Sequence, residues 1–340
     1  MRWRTTQWLL AGLLASLASL PSFAAQCSSP PDLTAASQWQ GWGNGTSNAR
    51  HTPDGLTSAD LPNLQLQWSF AFPGVSSVVG NPVVQGNVVY IGVDSGQLYA
   101  LDIESACTYW IFQADAGVRT APAMGNVNGK QLLFFGDRNA NTYAVDAANG
   151  QLQWKVEVEA HPAAILTGSP QFVMLENVEH PARLIVPVSS SEEGTAAVPT
   201  YKCCSFRGSV VSLDALTGEK IWQTHTIQSP VQSTGEKTQG PSGAAIWSAP
   251  TIDEAGKRIF VTTGDAYSFP ADIATDAVIG LDLITGKLLW INQGTANDVW
   301  TVVCMTPAAP KTCGPDQDYG SPAMLVSAGG TDFLVAGQKS

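Results

Sequence analysis

The sequence predicts an all-β chain built from repeated β-propeller blades. Three observations carry that expectation. An Asp-turn-Trp motif recurs at fixed spacing, Gly (32) and Pro (21) are abundant while charged residues are few (13%), and no long stretch has helical periodicity.

The motif occurs four times: Tyr99-Ala-Leu-Asp102 to Trp110, Tyr143-Ala-Val-Asp146 to Trp154, Val211-Ser-Leu-Asp214 to Trp222, and Ile279-Gly-Leu-Asp282 to Trp290. Each Asp precedes its Trp by eight residues, and three copies carry Gly four residues after the Asp: Gly150, Gly218 and Gly286. This pattern reads as a β-hairpin. An apolar strand ends at an Asp whose carboxylate caps the N–H groups of the turn, Gly takes the positive φ, and a second strand delivers the Trp to the core. The first copy has no Gly but has Cys107 in its turn, so a disulfide is expected to shape it.

Successive Asp residues lie 44, 68 and 68 positions apart. The shortest interval fits one four-stranded blade, and the longer ones imply inserted loops of about two dozen residues. A short strand is expected after each of Ala121-Pro122, Ser169-Pro170, Ala249-Pro250 and Ser321-Pro322, and Leu64-Gln65-Leu66-Gln67-Trp68 reads as an earlier, incomplete copy. A propeller ring must close to hide its edge strands. Here about five blade fragments are followed by a stop at Leu334-Val-Ala-Gly-Gln-Lys-Ser340, in the middle of what reads as a strand and turn, so the sequence reads as truncated at its C-terminus.

Residues 1–24 read as a cleaved export signal. Arg2 and Arg4 are followed by an apolar stretch from Trp8 to Leu20, with small residues at Ser22 and Ala24. That stretch is too short for a stop-transfer helix. Gln26 stands before Cys27 where a lipid-anchor signal has a small residue, which speaks against an anchor. The mature chain, 25–340, is therefore expected in the periplasm, without membrane insertion. A formal charge of −11 argues against binding to nucleic acid or anionic membrane, because both need a basic face. Six cysteines in an exported chain make disulfides the default. There is no Cys-x-x-Cys-His for haem attachment, and no dinucleotide-binding glycine fingerprint stands in a strand-helix context.

From Trp39-Gln-Gly-Trp42-Gly43 to Lys339, these repeats resemble the tryptophan-docking blades of the PQQ-dependent (quinoprotein) alcohol dehydrogenases, most of all the polyvinyl alcohol dehydrogenase branch. The resemblance implies a propeller that is eight-bladed in the family. It also implies bound PQQ and Ca2+, an alcohol substrate, and electrons passed to a separate cytochrome c. The adjacent pair Cys203-Cys204, in Cys203-Cys204-Ser-Phe-Arg207-Gly208, is its sharpest feature. Adjacent cysteines close only a tight ring that makes a poor clamp. In the family such a disulfide lies flat on the quinone. Cys304 with Cys313 and Cys27 with Cys107 complete that pairing, the alternative being that Cys203 and Cys204 bond elsewhere. Many family members carry the pair upstream of the metal-binding Glu, whereas here it follows.

Position by position, the resemblance implies that Trp247 stacks on the opposite quinone face and that Thr167 binds a quinone carboxylate. Arg119 and Arg207 would pair with the cofactor's carboxylates, for which the planar guanidinium fork is suited. Glu192 and Glu193, of which strand alternation points only one inward, would supply a metal ligand, with Asp265 in place of the usual Asn. In Asp316-Gln-Asp318, Asp316 would take the alcohol proton while hydride passes to the quinone, and Asp318 would stand near the metal. The family places that base directly after a Trp. Here Thr301 follows Trp300, and a loop carrying Cys304 and Cys313 intervenes, which a disulfide could fold back. Lys339 would bond the quinone carbonyl oxygens. Two other readings stand beside this one: a non-catalytic propeller scaffold of the outer-membrane assembly type, and an inactive truncated remnant.

Overall fold

The computed structural model describes residues 25–34, 38–52, 55–236 and 238–339; the expected export signal, 1–24, lies outside the described residues. Four antiparallel four-stranded sheets follow one another along the chain. Blade one is Val83–Gln85, Val88–Gly92, Gln97–Asp102 and Thr108–Gln113, with Gln38–Trp39 added beside its first strand. Blade two is Ala123–Val127, Lys130–Gly136, Asn141–Asp146 and Leu152–Glu157. Blade three is Gln171–Met174, Ala182–Ser190, Ser209–Asp214 and Lys220–His225, with Ala164–Ile165 pairing along its second strand. Blade four is Thr251–Asp253, Arg258–Thr262, Ala277–Asp282 and Leu288–Gln293, and a hairpin of Met324–Ala328 and Thr331–Val335 follows. Among the described residues no helix is long and apolar enough to cross a membrane.

The middle strands read as continuous apolar runs because both faces of each sheet are buried. Leu133 packs into the core between blades one and two, and its neighbour Phe134 into the core between two and three. Leu184 and Ile185 divide in the same way between the next two cores, as do Val211 and Val210. Stability therefore resides between blades rather than within them, at about 1.5–3 kcal/mol for each fully buried large apolar side chain.

The repeated hairpin has the anatomy expected of it. Asp214 Oδ1 accepts from the N–H groups of Leu216 (2.9 Å) and Thr217 (3.0 Å), and Asp282 Oδ1 from those of Ile284 (3.1 Å) and Thr285 (2.7 Å). Gly150, Gly218 and Gly286 have φ of 72°, 77° and 72°. A second constraint acts on them, since a Cβ at Gly218 would stand 2.8 Å from the ring of Trp154, and one at Gly286 would stand 2.5 Å from the ring of Trp222. Trp110, Trp154 and Trp222 thus lie over the turn of the following blade. Trp110 and Trp154 also donate Nε1–H to the carbonyls of Ala147 (3.1 Å) and Ala215 (3.0 Å) there. Trp68, in the incomplete copy, makes the same bond to Ile103 (2.8 Å), although residues 64–68 form no strand. At the junction of blades three and four Trp222 Nε1 has no partner, and Arg183 Nη1 reaches the equivalent carbonyl of Leu283 (3.3 Å) and that of Ile284 (2.7 Å).

In the first copy Ala106 takes φ +58° in place of Gly, and Cys107 is bonded to Cys27. The remaining disulfides are Cys203–Cys204 and Cys304–Cys313. Strands follow all four expected Pro residues, and a fifth follows Pro82.

Candidate active site

A cavity of about 250 Å³ opens where segments of blades two, three and four meet the chain's last described residues. Its wall is built from residues two apart, each pair on one face of an extended segment: Ile165 with Thr167, Ala245 with Trp247, and Asp265 with Tyr267. Arg119, Glu193, Asp318 and Lys339 complete the charged part of the wall.

Asp318 arrives from a distant part of the chain. The Cys304–Cys313 disulfide ties off the loop after Thr301, and the buried Asp298 carboxylate accepts from the N–H groups of Asp316 (3.3 Å) and Gln317 (2.8 Å). The Asp265 N–H then donates to Asp318 Oδ1 at 2.8 Å. Gly264 permits this approach, because a Cβ there would stand 2.8 Å from that same oxygen. Lys339 Nζ closes the group at 2.5 Å from Asp316 Oδ1 and 2.7 Å from Asp318 Oδ2, and lies 5.7 Å from the Trp247 ring centre.

Charge at the wall is strongly perturbed. Burial, then the charges of Asp318 and Asp316, push the Glu193 carboxyl up to about 7, against the pull of Lys339. Burial and the charge of Asp318 likewise raise Asp265 far above the carboxylate range. Burial opposes the charge on Lys339, but its bonds to Asp316 and Asp318 overcome this and hold it protonated. Thr167 Oγ1 and Asp265 Oδ1 are buried without a hydrogen-bond partner. The cavity therefore offers a flat indole face, two cations, unpaired polar atoms and three converging carboxylates.

Of the residues singled out in the sequence, Thr167, Trp247, Arg119, Lys339, Glu193, Asp265 and Asp318 line this cavity, and Asp316 is joined to it through Lys339. Glu192 is not among them. Residues 192–195 form a short helix rather than a strand, and the two glutamates diverge. The fully buried Glu192 carboxylate accepts from Tyr201 Oη (2.7 Å), Ser205 N (2.8 Å) and Phe206 N (2.8 Å), which leaves it no freedom to reach the cavity. Arg207 is likewise placed elsewhere, its guanidinium donating to the carbonyls of Ile227 (3.1 Å) and Ser229 (3.2 Å).

Cys203 and Cys204 are bonded to each other but stand off the wall. Cys204 is buried in the core beside Phe206, and Cys203 lines a second cavity of about 380 Å³ together with Cys304 and Cys313. Tyr267 is the wall common to both cavities. Sequence reasoning missed Tyr267, Ile165 and Ala245, which the period-two alternation around Asp265, Thr167 and Trp247 would have found. Asp298 carried no such signal, because its role is to hold backbone N–H groups of a loop whose path only the fold defines.

Comparison with known proteins places the chain in a family. The family described as "PQQ: Glucose/ethanol/alcohol dehydrogenase, beta-propeller domain" matches residues 39–313. A polyvinylalcohol dehydrogenase of Pseudomonas sp. is 36% identical over 95% of this chain, and one of Sphingopyxis sp. (strain 113P3) is 36% identical over 96%. The chain spans about half the length of these relatives, 52% and 51% respectively. The quinohemoprotein alcohol dehydrogenase of Comamonas testosteroni shares the fold, with a TM-score of 0.65 and 18% identity over 88% of this chain and 45% of that one. With the family matched over most of its length and its propeller sheets in place, the chain belongs to the PQQ-dependent glucose/ethanol/alcohol dehydrogenase β-propeller family.

Proposed function

We propose that this chain is the cofactor-binding portion of a periplasmic PQQ- and Ca2+-dependent alcohol dehydrogenase. Its substrate would be a secondary alcohol of the polyvinyl alcohol kind, and its electrons would pass to a separate cytochrome c. The observation that carries this reading is the convergence of Glu193, Asp265, Asp318 and Lys339 on one cavity floored by Trp247.

The residues fit the group the family implies. Trp247 offers a face for a planar ring, and Arg119, Lys339 and the unpartnered Thr167 hydroxyl suit carboxylates and carbonyls. Glu193, Asp265 and Asp318 supply the hard oxygens that calcium prefers, and a cation there would relieve the crowding of like charges. When bound, PQQ supplies the two-electron acceptor, with its carbonyl polarised by the metal. Asp316 is the group to accept the alcohol proton, and Lys339 orients it by a 2.5 Å hydrogen bond. Tyr267 closes one side of the wall and separates this cavity from its neighbour. Cys203–Cys204 keeps a candidate role through the neighbouring cavity rather than as part of this wall.

The test is reconstitution. Purified protein mixed with PQQ and Ca2+ should gain the quinone absorbance and reduce an artificial acceptor when given a secondary alcohol. Absence of any bound cofactor with calcium in excess would overturn the reading.

A further inference from the structure

Asp265 belongs to two groups of carboxylates. It faces Asp316 and Asp318 on one side, and it also forms a cluster with Asp276 and Asp298 in which the ligand oxygens all lie within 4.8 Å of one another. This second cluster is enclosed: Asp276 and Asp298 are fully buried and Asp265 is 3% exposed. No donor group reaches either carboxylate oxygen of Asp276 or Asp265 Oδ1, and the Asp265 and Asp276 carboxyls lie within hydrogen-bond reach of each other, where one shared proton would join them. Among the ion pairs of the described residues, none involves any of the three, Lys339 being taken by Asp316 and Asp318.

Three carboxylates buried together without a countercharge are costly, and a single shared proton relieves one pair at most. The spacing suits a hard cation. Calcium binds oxygen at about 2.3–2.6 Å, so two ligands across the ion stand up to about 5 Å apart, close to the span of the cluster, whereas the shorter bonds of magnesium, about 2.0–2.1 Å, demand a tighter set. Asp298 is already fixed by two backbone N–H groups, the kind of outer support that orients a metal ligand. Asp265 also lines the cavity, which gives an ion its way in.

We propose that Asp265, Asp276 and Asp298 hold a second divalent cation of the calcium class, behind the cofactor cavity, with Asp265 shared between the two groups. This site needs no cofactor and does not rest on the alcohol dehydrogenase reading.

The experiment counts Ca2+ bound by the full chain, purified without PQQ, by equilibrium dialysis and atomic emission. Glu193→Gln removes a carboxylate of the cavity wall and leaves the buried cluster of Asp265, Asp276 and Asp298 whole. That variant should retain one ion per chain, and adding Asp276→Asn should abolish it. Asp276→Asn alone should weaken this binding at least tenfold and remove the rise in melting temperature that Ca2+ produces. No ion retained by Glu193→Gln overturns the proposal whether or not the Asp276 variants fold. A folded Asp276→Asn chain that binds as many ions as tightly as the wild type overturns it equally. Reconstitution with PQQ reports separately on the cofactor site.

Discussion

The backbone N–H of Asp265 donates to Asp318 Oδ1 over 2.8 Å, joining blade four to a loop 53 residues further along the chain. That loop has little secondary structure of its own, only the short 3-10 turn Val302–Met305, and is tied off by Cys304–Cys313. Replacing both cysteines by Ser should therefore lower PQQ affinity, by about tenfold or more, while the blades stay folded. Cofactor titration and far-UV circular dichroism on one preparation check both halves, and unchanged affinity would separate the disulfide from the position of Asp318.

The two adjacent glutamates should separate cleanly. Glu192→Gln leaves a buried site with fewer acceptors for Tyr201, Ser205 and Phe206, and should cost about 1–3 kcal/mol of stability. Glu193→Gln, at the cavity wall, should leave the melting temperature unchanged or higher and abolish calcium-dependent cofactor binding. Thermal melts with and without Ca2+ distinguish them, and the reverse pattern would exchange their roles.

Gly218→Ala sets a Cβ against the Trp154 ring and forces a side chain onto a φ of 77°. The expected loss is about 1–3 kcal/mol, read from urea unfolding. The same change at Gly194, where a Cβ meets nothing within 4 Å, is the control and should cost far less.

Acid should loosen the repeat turns. Burial would raise the carboxyls of Asp102, Asp214 and Asp282, but hydrogen bonds from their turns, and from His180 to Asp214, overcome it and hold all three below 3.8. A group depressed in the folded state contributes stability above its unfolded value and loses it as pH falls through the folded one. The melting temperature should thus drop steeply below about pH 4, and Asp282→Asn should make that drop shallower. An equally steep drop in the variant would assign acid sensitivity to other groups.

The fold was legible because its repeat is written in residue types with narrow uses. Asp caps a turn, Gly accepts positive φ, and Trp at a fixed offset docks on the neighbour. The strand after Pro82 lay outside the pattern because Asn81 precedes that proline, where Ala or Ser precedes the other four. The wall of the site was legible where extended segments carried it, since Thr167, Trp247 and Asp265 each project from one. Legibility failed where regularity did. A single helical turn replaced the strand expected at Glu192 and Glu193, so two adjacent glutamates reached different destinations. Cys203, Cys204 and Arg207 follow that turn, and their placement depends on Glu192 gripping the loop. Asp276 and Asp298 are ordinary acids in the sequence, and only the folded chain brings them to Asp265.

The indole bonds of Trp68, Trp110 and Trp154 mean that the sheet and the cohesive unit are out of phase. Each Trp is carried before or within one blade, yet its ring and its N–H belong to the hairpin of the next. A cut between sheets would sever those indole bonds, while a cut within a sheet, after its Asp turn and ahead of its own Trp, would leave each Trp with its acceptor. Insertion, permutation and blade duplication should therefore be tolerated best inside a sheet, and a transplanted blade should need the preceding Trp strand to travel with it.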